Sequence, residues 1–248
     1  MAATPAWPSK SAPRLFVDTT LSQGLMHEID GQQAHYLSRV MRVKPGDAVI
    51  LCDDRTGEWA ARVTEAGKRS VTVEVADHLR PRESVPPLTL CAALLKKPRF
   101  DLVLEKATEL GVARIRPVLT RRCVADALNM DRARQIVTEA AEQCARTALP
   151  AIDEPVTLGA MLKGWDAAPL FFADESRDAP PAAQAFAQAP PPAALLIGPE
   201  GGFDDAEREA VRAHPCARPV ALGPRILRGE TAAIAAMAIW MGIAGDWR

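Results

Sequence analysis

The chain has 248 residues and a mass of 26.7 kDa, enough for one large domain or two modest ones. Hydrophobic residues make up 48% and charged residues 25%, and 30 Lys+Arg stand against 31 Asp+Glu, which excludes a disordered or polybasic protein but leaves room for a local basic face. Five cysteines without C-x-x-C spacing argue against a disulfide framework or structural zinc and fit a reducing, cytoplasmic setting, while the longest apolar stretch, 14 residues from Ala232, is short of a membrane span.

Residues 1–13 read as a flexible N-terminal arm with no secretory apolar core. RLFVD at 14–18 is a predicted strand. QQAHYLSRVMR at 32–42 places Ala34, Leu37, Val40 and Met41 on one helical stripe, with His35 packed beside it. AVILCD at 48–53 and EWAARVT at 58–64 flank the turn signal 54–57, as in a hairpin, and Val71, Val73 and Val75 alternate like a half-buried strand. A small barrel-like domain over 14–80 follows. The proline-rich stretch 81–87 reads as a linker.

The pattern then changes. LTLCAALL at 88–95 is a continuous apolar run, as in a buried parallel strand. Helices are predicted over 100–111, 130–148, 204–213 and 230–245, and strands over 115–119, 169–173, 193–198 and 218–222. Their alternation implies an open α/β sheet over 88–248. The low-complexity stretch 178–193 reads as a loop or frayed helix. The all-round apolar last helix suggests burial on several sides, as at a subunit interface.

Charge is uneven. Residues 1–80 carry 10 basic and 10 acidic groups, 81–150 carry 12 and 8, and 151–248 carry 8 and 13. A basic middle points to a polyanionic partner, against the alternative of a solvated helix face.

Three segments stand out. In LLIGPEGGF at 195–203 an apolar strand runs into a glycine-rich bend, where backbone can approach a ligand closely; the competing reading is a plain tight turn. It is neither a dinucleotide fingerprint nor a P-loop. LGPRILRGET at 222–231 places Arg225, Arg228 and Glu230 beside a very apolar helix, for pairing or for function. Lys96, Lys97 and Arg99 follow the first strand of the α/β part, with Arg121 and Arg122 beyond, and would suit phosphates or be ordinary surface charge. The four histidines show no metal-ligand spacing.

Taken together these segments resemble the RsmE family, 16S ribosomal RNA (uracil-1498-N3)-methyltransferases of the SPOUT class. RLFV at 14–17, HYLSRVMRVKPGDAVILCD at 35–53, KATELGVARIRPVLTRRCV at 106–124, EAAEQCARTALPAI at 139–152, LLIGPEGGF and LGPRILRGETAAIAA carry the resemblance. It covers essentially everything from Arg14 onward, and the last two stretches are highly specific as a pair. Residues 1–13, the proline-rich 178–193 and Gly229, where a larger residue is common, depart from the family pattern.

The resemblance implies a PUA-like RNA-binding barrel followed by a SPOUT domain with a deep trefoil knot. It implies a homodimer acting on 16S rRNA of the small ribosomal subunit, with neither metal nor membrane. S-adenosylmethionine would be bound by Phe172, Leu196, Ile197, Gly198, Pro199, Glu200, Gly201, Gly202, Leu222, Gly223, Ile226, Leu227 and Thr231. Catalysis would fall to Glu200, Arg228 and Glu230, and RNA contact to Arg14, Arg39, Arg42, Lys96, Lys97, Arg99, Arg121 and Arg122. Two readings stay open beside it: a SPOUT methyltransferase acting on another RNA, and a non-catalytic RNA-binding assembly factor.

Overall fold

Alternating valines set the first sheet. In β5 (Val71–Arg80), Val71, Val73 and Val75 are buried while their neighbours are not. It pairs with β4 (Glu58–Ala66), which pairs with β3 (Ala48–Cys52), both antiparallel. β1 (Arg14–Phe16) lies parallel to β3, and β2 (Met26–Ile29) closes the order β1-β3-β4-β5-β2. Leu15, Leu21, Ile29, Leu37, Val49 and Leu51 fill its interior. The computed structural model describes residues 7–9, 11–165, 168–174, 178–189 and 191–247; most of the predicted arm, 1–6 and 10, lies outside them.

The helix expected over 32–42 is two pieces. α1 (Gly31–His35) passes into a π-helical turn (Tyr36–Met41), which Arg42 ends with φ 54°. The wider turn breaks the 3.6-residue period. Ala34 and Leu37 are buried as expected, but Val40 is 62% and Met41 37% exposed, and His35 is exposed.

The predicted hairpin turn is built on Asp53. Its carboxylate accepts the amides of Leu21, Arg55 and Thr56 and the Thr56 hydroxyl, at 2.7–2.9 Å. Burial pushes its pKa up, but these donors outweigh burial and hold it below the ordinary aspartate value.

The chain divides into two compact units. One runs through Ser84 and takes in Ala141–Ala148; the other holds Val85–Ala140 and Leu149 onward. The predicted helix over 130–148 is shorter: α3 (Met130–Cys144) stops where Ala145 adopts φ 63°. In the first unit the Phe16 amide donates to the Glu142 carboxylate at 2.8 Å, and the amides of Thr147 and Ala148 donate to Glu83 at 2.6 and 3.1 Å.

The second unit is a three-layer α/β fold. Its sheet is parallel throughout, in the order β12 (Ala217–Val220), β10 (Leu170–Ala173), β11 (Ala193–Ile197), β6 (Leu88–Ala93), β7 (Arg114–Leu119), β8 (Ala151–Ile152), with β9 (Val156–Thr157) also on β7. Strand alternation sorts the core. Leu90, Phe171, Leu195 and Ile197 face α2 (Lys97–Glu109), α5 (Ala182–Ala187) and α7 (Gly229–Ile243). Cys91, Leu170, Phe172, Ala194 and Leu196 face α4 (Leu158–Lys163) and α6 (Asp205–Ala213). The sequence reading misses β2, β8, β9 and α4, each too short for a clear period, and finds a loop or frayed helix where α5 lies; residue 190 of that stretch is outside the described residues.

Candidate active site

The carboxyl ends of β10, β11 and β12 open on a cavity of about 810 Å³, where open parallel sheets place their ligands. Its walls are Ala173 and Asp174 after β10, Ile197–Glu200, Gly202 and Phe203 after β11, and Ala221–Leu227 after β12, with Gly229 and Ala232 from the start of α7.

Local sequence explains this arrangement. The loop after β11 turns back through the Gly202 amide, which donates to the Pro199 carbonyl at 2.9 Å, and Gly202 takes φ 65°, a conformation that suits glycine. Asp204 then caps α6 reciprocally with Glu207. The Glu207 amide holds the Asp204 carboxyl below its ordinary value, against a burial penalty and with help from Arg121. The third wall turns at Gly223, φ 111°.

Of the residues implied as cofactor contacts, Ile197, Gly198, Pro199, Glu200, Gly202, Leu222, Gly223, Ile226 and Leu227 line this cavity. Phe172 and Leu196 do not: strand alternation turns them into the opposite core, where each is at most 1% exposed. Gly201 is exposed, off the cavity wall and without positive φ. Thr231 is exposed too, because helical spacing gives the cavity Gly229 and Ala232 instead.

The implied catalytic carboxylates meet at one guanidinium. Arg99, in the first turn of α2, pairs through Nη1 with Glu200, and its Nε lies 3.8 Å from Glu230 Oε1. Arg228 is exposed at the N-cap of α7. Arg99 is thus committed to carboxylates rather than free for phosphate.

Other predicted RNA contacts are also engaged. Arg14 donates to Glu58, which Arg80 pairs as well. Burial pushes the Glu58 pKa up, but the Arg80 and Arg14 hydrogen bonds win and hold it low. Arg121 pairs with Asp204 at 2.9 Å, and Arg122 donates to the Gly201 carbonyl at 2.8 Å. Among the described residues Arg39, Arg42, Lys96 and Lys97 are exposed without an ion-pair partner.

The resemblance implies walls from the loop after Phe172 and the loop 222–227, which hold Asp174, Pro224 and Arg225 without singling them out, and sequence reasoning missed Phe203, Arg208 and Ala232. Asp174 is nearly sequestered and pairs with Arg212 at 2.6 Å. It directly follows a predicted strand, so the strand-end rule would have found it. Arg208 gives no such signal, since an arginine on an exposed helix is unremarked in sequence.

The comparisons with known proteins follow this geometry. Residues 81–241 match a family model described as RNA methyltransferase domain, and 29–76 match one described as RNA methyltransferase PUA domain. The first model spans well over half of the chain. The chain belongs to the ribosomal RNA small subunit methyltransferase E family. The member from Synechocystis sp. is 32% identical, with 92% of this chain and 74% of that protein covered. The member from Rickettsia conorii is 29% identical over 91% of this chain and 93% of that protein.

Solved structures agree. The small subunit methyltransferase E of Neisseria gonorrhoeae, bound to S-adenosyl methionine, is 28% identical with a TM-score of 0.87, covering 96% of this chain and all of that one. A methyltransferase from Legionella pneumophila in complex with SAM is 30% identical with a TM-score of 0.85, over 95% and 99% of the two chains. The family assignment also matches the fold: a PUA-type first unit and a parallel α/β second unit.

Proposed function

We propose that this chain transfers the methyl group of S-adenosylmethionine to N3 of one uridine, of the position-1498 type, in 16S rRNA of the small ribosomal subunit. The observation that carries the reading is the cavity at the strand ends, walled by the glycine loop, whose Glu200 shares Arg99 with Glu230 behind it. Its volume of about 810 Å³ suits a ligand the size of S-adenosylmethionine. Ile197, Phe203, Leu222 and Leu227 offer an apolar wall for a purine.

Held by the cavity loops, S-adenosylmethionine would supply an electrophilic methyl group for the N3 electron pair, the electrons of the broken carbon–sulfur bond staying on sulfur. The protein's residues do the rest. The loops at 198–203 and 221–227 hold and orient the donor. Uridine N3 is nucleophilic only as its imide proton leaves, so a base to take that proton or a cation to stabilise the resulting anion is required, and the carboxylates of Glu200 and Glu230 are the candidates for the first role. Arg228, exposed at the start of α7, stabilises the charge that develops on the base oxygens. The reading also carries the trefoil knot and the homodimer implied by the resemblance.

The test is a map of modified uridines in 16S rRNA from a deletion strain. We expect one 3-methyluridine to vanish and to return with the purified protein and S-adenosylmethionine, with assembled small subunits methylated faster than free rRNA. An unchanged map overturns the reading.

Arg39 and Arg42 are the proposed phosphate contacts of the first unit. The π-helical turn and the left-handed Arg42 mean that they do not share an α-helical face. Both nevertheless stand exposed and free of ion pairs among the described residues. The double change to Ala is expected to weaken RNA binding and to flatten its salt dependence by roughly one to two units of slope. Melting temperature and the S-adenosylmethionine isotherm should not move, because no ion pair is lost and the cavity is in the other unit. An unaltered salt slope would take these two arginines out of the RNA face.

A further inference from the structure

Three stretches far apart in sequence converge on one guanidinium: the first turn of α2 through Arg99, the glycine loop through Glu200 and the first turn of α7 through Glu230. The two carboxylates are not equivalent. Glu200 lines the cavity, with its side chain 26% exposed. Glu230 does not line it, and its Oε2 is buried without a hydrogen-bond partner among the described residues. A half-satisfied buried carboxylate is costly. Glu230, its side chain 12% exposed, stands behind the cavity wall, and the charged group it meets is Arg99.

The start of α7 is pressed against the glycine loop, since a Cβ placed at Gly229 would lie 3.4 Å from the Gly198 carbonyl oxygen and 3.0 Å from Leu95 Cδ2. The backbones that carry Glu200 and Glu230 are therefore held together, and the shared guanidinium fixes the side chains.

We propose that Glu200 is the catalytic proton acceptor and that Arg99 and Glu230 are its positioning residues, acting as a charge-balanced relay. This rests on the uridine N3-methyltransferase reading. In the step itself the N3–H bond breaks, its electron pair stays on N3, and the proton goes to a Glu200 carboxylate oxygen. A lone arginine beside Glu200 would orient it but make it a poor proton acceptor. Glu230 shares the same guanidinium and balances its charge, so Glu200 is held in place without facing an uncompensated cation. The other charges facing this part of the cavity are Asp174, Arg208 and Arg225 on its walls and Arg122 on the Gly201 carbonyl, with Arg228 preceding Glu230. They are the same in every variant below.

The experiment uses the full chain and small subunits from a deletion strain, and measures kcat and KM against pH, S-adenosylmethionine binding by calorimetry, and melting temperature. Glu200→Gln should lower kcat by about a hundredfold or more while binding the cofactor normally. Glu230→Gln leaves Arg99 to Glu200 alone, so the acid limb of the kcat profile should move to lower pH. Arg99→Met removes the positive charge, so the limb should move to higher pH, and Arg99→Lys should bring it part of the way back. A purely structural role would lower stability without these opposite shifts. Limbs that stay put or move in the same direction, or a Glu200→Gln variant with full kcat, overturn the relay. A wild-type protein that binds cofactor but forms no 3-methyluridine overturns the functional reading itself, and the relay with it.

Discussion

Gly57→Ala is expected to cost about 2–5 kcal/mol, among the largest effects a single methyl group can have. Gly57 closes the turn between β3 and β4 with φ 109°, where an L-residue is strained by roughly 1–2 kcal/mol. The added carbon would also sit 2.3 Å from the Arg80 carbonyl oxygen, 2.4 Å from Pro81 C and 2.5 Å from Arg82 N. All three are backbone atoms, so no side-chain rotation relieves the clash, and overpacking of this kind costs a further ~1–3 kcal/mol. The strain falls on a built-up corner: the Gly57 amide donates to Asp53 at 3.3 Å, and Glu58, the next residue, holds Arg14 and Arg80. The melting temperature should fall by roughly 4–20 °C. Gly46→Ala, also at positive φ but with open space around its Cβ, should cost only the conformational part. Equal losses in the two variants would contradict the clash.

How much was legible in the sequence follows from how each feature is encoded. Long periodic or continuous apolar stretches were readable: the run at 88–95 forms a central strand of the parallel sheet, and the alternating valines at 71–75 form the inner face of the first. The glycine loop was readable as more than a turn because three glycines, a proline and a carboxylate exceed what a turn needs, and it forms one wall of the cavity. Where a wall residue points was not. Leu196 and Ile197 are adjacent and equally apolar, and only the pairing of β11 with β6 and β10 decides that Ile197 meets the cavity while Leu196 meets α4 and α6. Arg39 and Arg42 stand three apart, the spacing of one α-helical face, but the turn there is π-helical, and a π-helical turn leaves no mark on an apolar pattern. The partnership of Arg99 with Glu200 and Glu230 was hidden as well, because 101 and 131 residues of sequence separate partners that only the parallel topology brings together.

Gly202→Val is expected to abolish S-adenosylmethionine binding, or weaken it at least tenfold, about 1.4 kcal/mol or more. Gly201 and Gly202 are alike in the sequence as implied cofactor contacts, and their surroundings in the structure differ. Gly201 is exposed, has no positive φ, and its Cβ would meet only the Arg122 side chain, at 3.4 Å. Gly202 is buried, lies on the cavity wall, has φ 65° and donates the hydrogen bond to Pro199 that closes the loop. A β-branched residue resists that conformation, and the loop can relieve the strain only by changing the path of the backbone that forms the wall. Backbone strain by itself is controlled by Gly24→Val. Gly24 has φ 80° with nothing within 4 Å of its Cβ, and it belongs to the first unit. Both variants should melt at a lower temperature, but only Gly202→Val should lose the cofactor, and Gly201→Val should retain most of it. Normal cofactor titration by Gly202→Val, or equal loss in Gly24→Val, would show that the loop after β11 is not the wall against which the cofactor is held.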